Sequence, residues 1–301
     1  GNGVRGLYEI ARLTMLESLK RRTAVVAILF TMFLIVGMTR LAVRTERKIE
    51  HRRVERGRPA AALVEGKPVE HALFTELMRK GGLWIVRTFT MFLAILFAAG
   101  ALAGERESGA LHTVISKPIT RWQILLGKWL GLNAILLIYL VVLGSLLTGI
   151  LWWRTGALNE QIFSGAIASL MFGALFTTLT LSLSAVASTW LSAGIGLLSW
   201  LVGSQEYGLL RMIAHGLNQN EPTREAAETL YGVCRWCGML VPTGRIALWI
   251  DHVSGRLDLD GFMGRQPFVR PEASPWDLGY VAVYVVALLL LSGWVFSRTD
   301  L

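Results

Sequence analysis

Cysteine occurs only twice in this 301-residue chain, which excludes a disulfide-rich scaffold. No H-E-x-x-H or G-x-S-x-G stretch is present, so a membrane protease or lipase would have neither its metal site nor its nucleophile. Gly127-Lys128 is followed by Trp129 and lacks the earlier glycine of a phosphate loop, and no nucleotide site is expected in this chain. The apolar runs carry no central series of carboxylates of the kind a proton-coupled carrier needs. Repeats, low-complexity tracts and a long soluble domain are also missing, and no nucleic-acid partner is expected.

What is abundant is apolar. Hydrophobic residues make up 53% of the chain, with 11 tryptophans, and the mean hydropathy is +0.50, beyond the range of an ordinary soluble domain. A helical span needs about 20 mostly apolar residues. Six runs meet that need: about Thr23 to Met38, Leu83 to Ala103, Ile124 to Trp152, Ile162 to Val186, Trp190 to Leu210 and Leu278 to Phe296. The expectation is an all-α, integral membrane protein of six transmembrane helices in one domain, 1–301, with both termini on one side. The first run follows Lys20-Arg21-Arg22 without a small-x-small cleavage site and reads as a retained span.

Before it, Val4, Leu7, Tyr8, Ala11, Met15 and Leu19 recur at helical spacing, opposite Arg5, Glu9, Arg12 and Lys20. Residues 1–22 are therefore expected to form an amphipathic helix in the membrane interface. Two larger polar segments interrupt the spans. In the first, 44–82, ten Lys and Arg exceed six Glu between Arg44 and Lys80. It reads as helical at its start and broken at Gly57 and Pro59, and its charge suits either anionic lipid headgroups and acidic partners or a solvated helix. The second, 211–277, holds Cys234 and Cys237 with His215 and His252. The two thiols fit incidental or structural cysteines, a disulfide, or half of a metal site completed across a twofold axis.

Ionisable residues inside spans are informative because they are costly there. Arg40, Arg87 and Glu206 read as lying near span ends, where long side chains reach the headgroups. Gly165, Ser169 and Gly173 form a stripe of small residues on the fourth span, suited to helix packing within the chain. Trp276, Tyr280 and Trp294 are placed as interfacial anchors on the last span.

The third polar stretch, 104–121, is the most specific. Glu105, Arg106, Glu107, Ser108 and Gly109 close the second span, a half-apolar segment runs from Ala110 to Ile115, and Ser116-Lys117-Pro118 offers a start signal for the next helix. This reads either as a plain turn or as a short surface helix that a soluble partner can grip. Counting Lys and Arg does not fix its side, because the basic 44–82 segment then falls opposite to it.

Three linked elements, Glu105-Arg106-Glu107-Ser108-Gly109, Ser116-Lys117-Pro118-Ile119-Thr120-Arg121 and Leu126-Gly127-Lys128, resemble the membrane subunits of type-2 ABC transporters, permeases of the exporter-like kind. A turn rich in serine between spans four and five, Ser182 to Gly194, and a long segment before span six extend the likeness, whereas such permeases usually keep the first loop shorter. The resemblance implies that 104–121 is cytoplasmic and carries a coupling helix that docks on a separate ATP-binding cassette ATPase. The residues it nominates are Glu105, Glu107, Gly109, Leu111, Val114, Pro118 and Arg121. Leu111 and Val114 would enter the ATPase cleft, and Glu105 and Glu107 would steady the ends of the coupling helix through that partner or through neighbouring helix termini.

By the same resemblance both large loops, 44–82 and 211–277, are extracytoplasmic, and the termini are cytoplasmic in a bacterial inner membrane. No cofactor is expected on this chain: ATP and Mg belong to the ATPase, so the chain is not itself an enzyme. Partners would be two ATPase subunits, a second permease copy or a paralogue, and membrane lipids, with substrate export as the outcome. Two other readings stay open, force transmission to a periplasmic partner and an ATPase-independent transporter or scaffold.

Overall fold

The computed structural model describes residues 2–20, 22–55, 63–64, 67–68, 74–107, 120–156, 160–204 and 274–298, and the single positions Glu225, Thr229, Pro242, Arg245, Ile246 and Trp249. Seven long helices dominate: α1 (Asn2–Lys20), α2 (Arg22–Glu55), α3 (Phe74–Glu107), α4 (Arg121–Thr155), α5 (Glu160–Ser184), α6 (Thr189–Ser204) and α7 (Pro275–Arg298). Among the described residues, the one departure from helix is a minimal antiparallel pair, β1 (Leu63–Val64) with β2 (Lys67–Pro68), in which Leu63 faces Pro68 and Val64 faces Lys67.

Among the described residues, five helices are long and apolar enough to cross a membrane: Arg22–Lys48, Phe74–Glu107, Arg121–Thr155, Glu160–Ser184 and Trp276–Arg298. The expected fifth of six spans corresponds to α6, whose 16 described residues reach only about 24 Å at 1.5 Å per residue; positions 205–210 of that run lie outside the described residues. Also outside lie Gly57, Pro59, Cys234, Cys237, His215, His252 and Glu206.

α5 occupies the centre, packed against α3, α4, α6 and α7. Its Leu175, Phe176 and Leu181 are fully buried, as are Met91 of α3 and Leu125 and Leu143 of α4. The small-residue stripe works within the chain as expected. Ser169 is buried, and a Cβ on Gly173 would press on Thr90 of α3 and Leu136 of α4. α2 lies at the edge of the bundle, with Val26, Leu29 and Phe33 exposed to what is lipid in a membrane chain, and is tied to α4 by a 3.1 Å hydrogen bond between Thr31 and Tyr139.

The start of the 44–82 segment is helical as expected, continuing α2 to Glu55. Its end differs from the sequence expectation: α3 begins at Phe74, nine residues before Leu83. Gly81 and Gly82 do not break α3. They admit neighbouring helices: a Cβ on Gly81 would lie 3.0 Å from Met38 Sδ, and one on Gly82 2.6 Å from Leu147 Cδ2. The helix absorbs the crowding in a π turn at Leu77–Gly81. Arg79 and Lys80, counted with the loop by sequence, are thus helical, and both pair with Glu76 at 2.6 and 2.8 Å. The earlier start also carries Arg87 thirteen residues into the span rather than near its end, where its guanidinium lies 5.9 Å from the Phe172 ring.

The N-terminal helix is amphipathic, and its inner face keeps Met15 and Leu19 of the expected apolar set but not Tyr8. Ile10, Met15, Ser18 and Leu19 turn toward the bundle while Tyr8 is exposed. α1 lies along α4, where Gly127 and Gly131 let it approach. A Cβ on Gly127 would sit 2.7 Å from Ile10, and one on Gly131 2.6 Å from the Ala11 carbonyl.

Candidate functional site

The stretch 104–121 is described at both of its flanks, Gly104 to Glu107 and Thr120 onward, while Gly109, Leu111, Val114 and Pro118 lie outside the described residues. The flanks are the C-terminus of α3 and the N-terminus of α4. Every helix end leaves backbone groups without intrahelical partners, and here the charged side chains of the flanks satisfy the ends of neighbouring helices.

Glu105 is the first. Its Oε1 accepts from Lys128 Nζ at 2.6 Å, and the same ammonium donates to the Ala101 carbonyl at 2.6 Å. Lys128 is only 6% exposed, so its charge is held by these oxygens rather than by water. The pair sits in a small cleft closed by Thr14, Glu17 and Ser18 of α1 and by Phe97, Ala101 and Leu132. A buried ion pair of this kind contributes little net stability when intact but is costly to halve. It therefore fixes where α3 and α4 stand relative to each other and to α1.

Arg106 points the other way. Its guanidinium donates to the carbonyls of Ala185 and Ala187 at 3.1 and 2.8 Å, the groups just past the C-terminus of α5. A cation suits that end of a helix. Glu107 completes the set at the start of α6, accepting from the Thr189 amide at 3.0 Å and from its hydroxyl at 3.2 Å, as an anion suits a helix N-terminus. One turn deeper, the Ser184 hydroxyl of α5 donates to the Ala99 carbonyl at 2.9 Å and accepts from the amides of Leu102 and Ala103. Three consecutive residues of α3, Glu105, Arg106 and Glu107, thus hold α4, α5 and α6.

On the other flank, Thr120 rather than Ser116 or Pro118 caps α4. Its hydroxyl accepts from the Gln123 amide, and Gln123 Oε1 accepts from the Thr120 amide, a reciprocal capping box. Arg121 then reaches α7, donating to the Phe296 carbonyl at 2.8 Å with its guanidinium 5.9 Å from the Phe296 ring. The two flanks together contact the ends of α4, α5, α6 and α7.

Of the residues nominated from sequence, Glu105, Glu107 and Arg121 are brought to one end of the bundle, and each is bound to a neighbouring helix. Sequence reasoning assigned no role to Arg106, Lys128 or Ser184, and missed the Thr120–Gln123 cap. The cap was legible as T-x-x-Q before an apolar run. Arg106, Lys128 and Ser184 had no such local sign, because their partners are 79 to 81, 23 to 27 and 81 to 85 residues away.

Among the described residues no group of three or more His, Cys, Asp or Glu is placed to hold a metal ion. A second concavity, of about 170 Å³, lies between α4 and α5 and is lined by apolar residues including Leu137, Val141, Phe163 and Ile167; it offers no group for chemistry.

Residues 10–301 match the family described as ABC-2 family transporter protein. Among curated relatives, the chain is 38% identical over 113 residues to "Probable ABC transporter permease protein NosY" of Pseudomonas aeruginosa, covering 35% of this chain and 41% of that protein. It is 23% identical over 224 residues to "Uncharacterized protein YhcI" of Bacillus subtilis, covering 70% of this chain and 64% of the relative. The matched regions thus span less than two thirds of either relative. With apolar helices long enough to cross the bilayer and a match across nearly its whole length, the chain belongs to the ABC-2 transporter family and is a multi-pass membrane permease.

Proposed function

We propose that this permease couples ATP hydrolysis on a separate ATP-binding cassette ATPase to export of a substrate, and that the segment 104–121 is where the ATPase acts. The observation that carries this reading is the set of bonds from Glu105, Arg106, Glu107 and Arg121 to α4, α5, α6 and α7. A segment joined at both ends to so many helices passes any displacement to the whole bundle, and a plain turn has no need of such fastening.

In this reading the segment is cytoplasmic and holds the coupling helix with Gly109, Leu111, Val114 and Pro118. The termini are cytoplasmic in a bacterial inner membrane, and 44–82 and 211–277 face outward. ATP and Mg reside on the ATPase, and a second permease copy or a paralogue completes the pathway. An apolar contact made by Leu111 and Val114 tolerates no charge, because desolvating one costs several kcal/mol. Leu111→Asp and Val114→Asp are therefore expected to abolish ATPase binding and permease-stimulated hydrolysis in reconstituted membranes while the protein remains monodisperse. Full binding in both variants would reduce the segment to a turn. Orientation is checked separately with Ala61→Cys and Ala110→Cys: an impermeant thiol reagent added outside is expected to label the first and spare the second.

Force transmission to an extracytoplasmic partner is a second reading. It draws on α2 and α4, which exceed the bilayer thickness and are joined at the far end by Arg154 and Glu46 at 2.6 Å, a lever of the kind a partner protein could feel. Copurification from native membranes separates the two: a bound soluble protein on the outer loops favours force transmission, and a bound small molecule favours export.

A further inference from the structure

The lipid-facing side of α2 does not end with its apolar run. Val26, Leu29 and Phe33 are exposed along one side, and at 100° per residue Arg40, Arg44, Arg47 and Lys48 all fall within about 60° of Phe33 on that same side. All four are exposed, and among the described residues none has an ion-pair or hydrogen-bond partner for its side chain. The opposite side is buried through Ile35 and Ala42. The single acid between Arg22 and Lys48, Glu46, also lies on the buried side and pairs with Arg154 at 2.6 Å. Among the described side chains it therefore leaves the four cations without an acidic neighbour on their own side of α2.

The level of this stripe in the bilayer is set by aromatic residues. Next to Arg154, Trp152 and Trp153 are exposed, the latter by 90%, and Trp276 at the start of α7 is exposed at the same end of the bundle; Trp190 and Trp294 are exposed at the other end. Exposed tryptophans collect where hydrocarbon gives way to headgroups. The Trp152–Trp153 belt stands level with Glu46, so Arg44, Arg47 and Lys48 lie at headgroup height and Arg40 about one to two turns deeper, within snorkelling reach.

We propose that Arg40, Arg44, Arg47 and Lys48 form a binding site for an anionic phospholipid, its phosphate among the four cations and its acyl chains along Phe33, Leu29 and Val26. A soluble acidic protein matches the charge of Arg47 and Lys48 but cannot reach Arg40 below the phosphate plane, and it has no use for the apolar stripe. A lipid satisfies both halves of the surface. The site does not depend on the coupling reading, and either leaflet can supply its ligand.

The test uses the full-length protein in neutral detergent, with lipid retention read by native mass spectrometry. Phosphatidylglycerol is expected to be retained over phosphatidylcholine of identical chains by at least about tenfold, since several headgroup-level cations act together. The Arg40→Gln/Arg44→Gln/Arg47→Gln/Lys48→Gln variant is expected to bring the two lipids to within about twofold, and glycerol phosphate at the same concentration is expected not to compete. The cations are exposed, so the elution volume should be unchanged. Should the fourfold variant misfold, the pairs Arg40→Gln/Arg44→Gln and Arg47→Gln/Lys48→Gln are each expected to lose part of the preference. Any of four results would overturn the site: no preference in the unaltered protein, a preference that survives in all variants, an equal loss in Arg12→Gln on α1, at the 104–121 end of the bundle, or displacement of the lipid by a polyglutamate peptide.

Discussion

The two ends of the helix bundle use charge in opposite ways. At the end formed by the flanks of 104–121, Glu105, Arg106, Glu107, Arg121 and Lys128 all turn inward, onto helix ends and one another. At the far end, among the described residues, Glu46 pairs with Arg154, Asp277 with Arg245, and Glu76 with the local Arg79 and Lys80, while Arg40, Arg44, Arg47 and Lys48 face outward. Charges spent on neighbouring helix ends make a rigid joint, whereas charges left exposed make a surface for something else to bind. The rigid end is the one nominated by the ATPase-coupling motif.

The sharpest way to break this contrast is to halve the buried pair. Lys128→Met removes the ammonium from both Glu105 and the Ala101 carbonyl, and is expected to cost about 3 kcal/mol. A drop in the thermal midpoint of the purified protein should report it, and the double variant Lys128→Met/Glu105→Leu should recover most of the loss. A midpoint unmoved by Lys128→Met would mean the loop end is no more rigid than the other.

A smaller effect is expected from Glu107→Gln, which keeps the size of the side chain and one acceptor at Thr189 but removes the charge opposite the α6 N-terminus. The loss should be about 1 kcal/mol, confined to faster amide exchange in the first turn of α6, with α4 and α7 unchanged. Exchange that quickens equally in all helices would place Glu107 in the general packing rather than at one joint.

The smallest effect belongs to the far end. Arg154→Met removes one partner of Glu46 where the guanidinium is 40% exposed, and solvent screening limits the loss to about 0.5 kcal/mol. Deuterium uptake in the α2 extension should rise while the loop end keeps its protection. A change as large as that of Lys128→Met would erase the difference between the ends.

The helices were legible where the signal is local. Apolar runs of span length located α2, α4, α5 and α7, and the small-residue stripe at Gly165, Ser169 and Gly173 anticipated a packed face. The start of α3 was misjudged because the span was taken from the apolar run that opens at Leu83, although the preceding Gly81 and Gly82 are helical and a Cβ on either would meet Met38 or Leu147. Gly127 and Gly131 are another such case. The first was noticed as part of a family motif, yet its spacing from the second is what admits α1. At the candidate site, Glu105, Glu107 and Arg121 came from the family likeness, while Arg106 and Lys128 lay beside them without a sign of their partners.

The sequence by itself determined that this chain crosses the membrane repeatedly and carries the ABC-2 permease pattern, because run length, helical period and motif spacing are properties of neighbouring residues. Only the tertiary structure decided which charge meets which helix end, and which face of α2 is left to the lipid. Those outcomes depend on residues far apart in the chain, such as Arg106 and Ala187, or Arg121 and Phe296. A backbone group or an ion in a low-dielectric interior takes whatever partner the packing brings within hydrogen-bond distance.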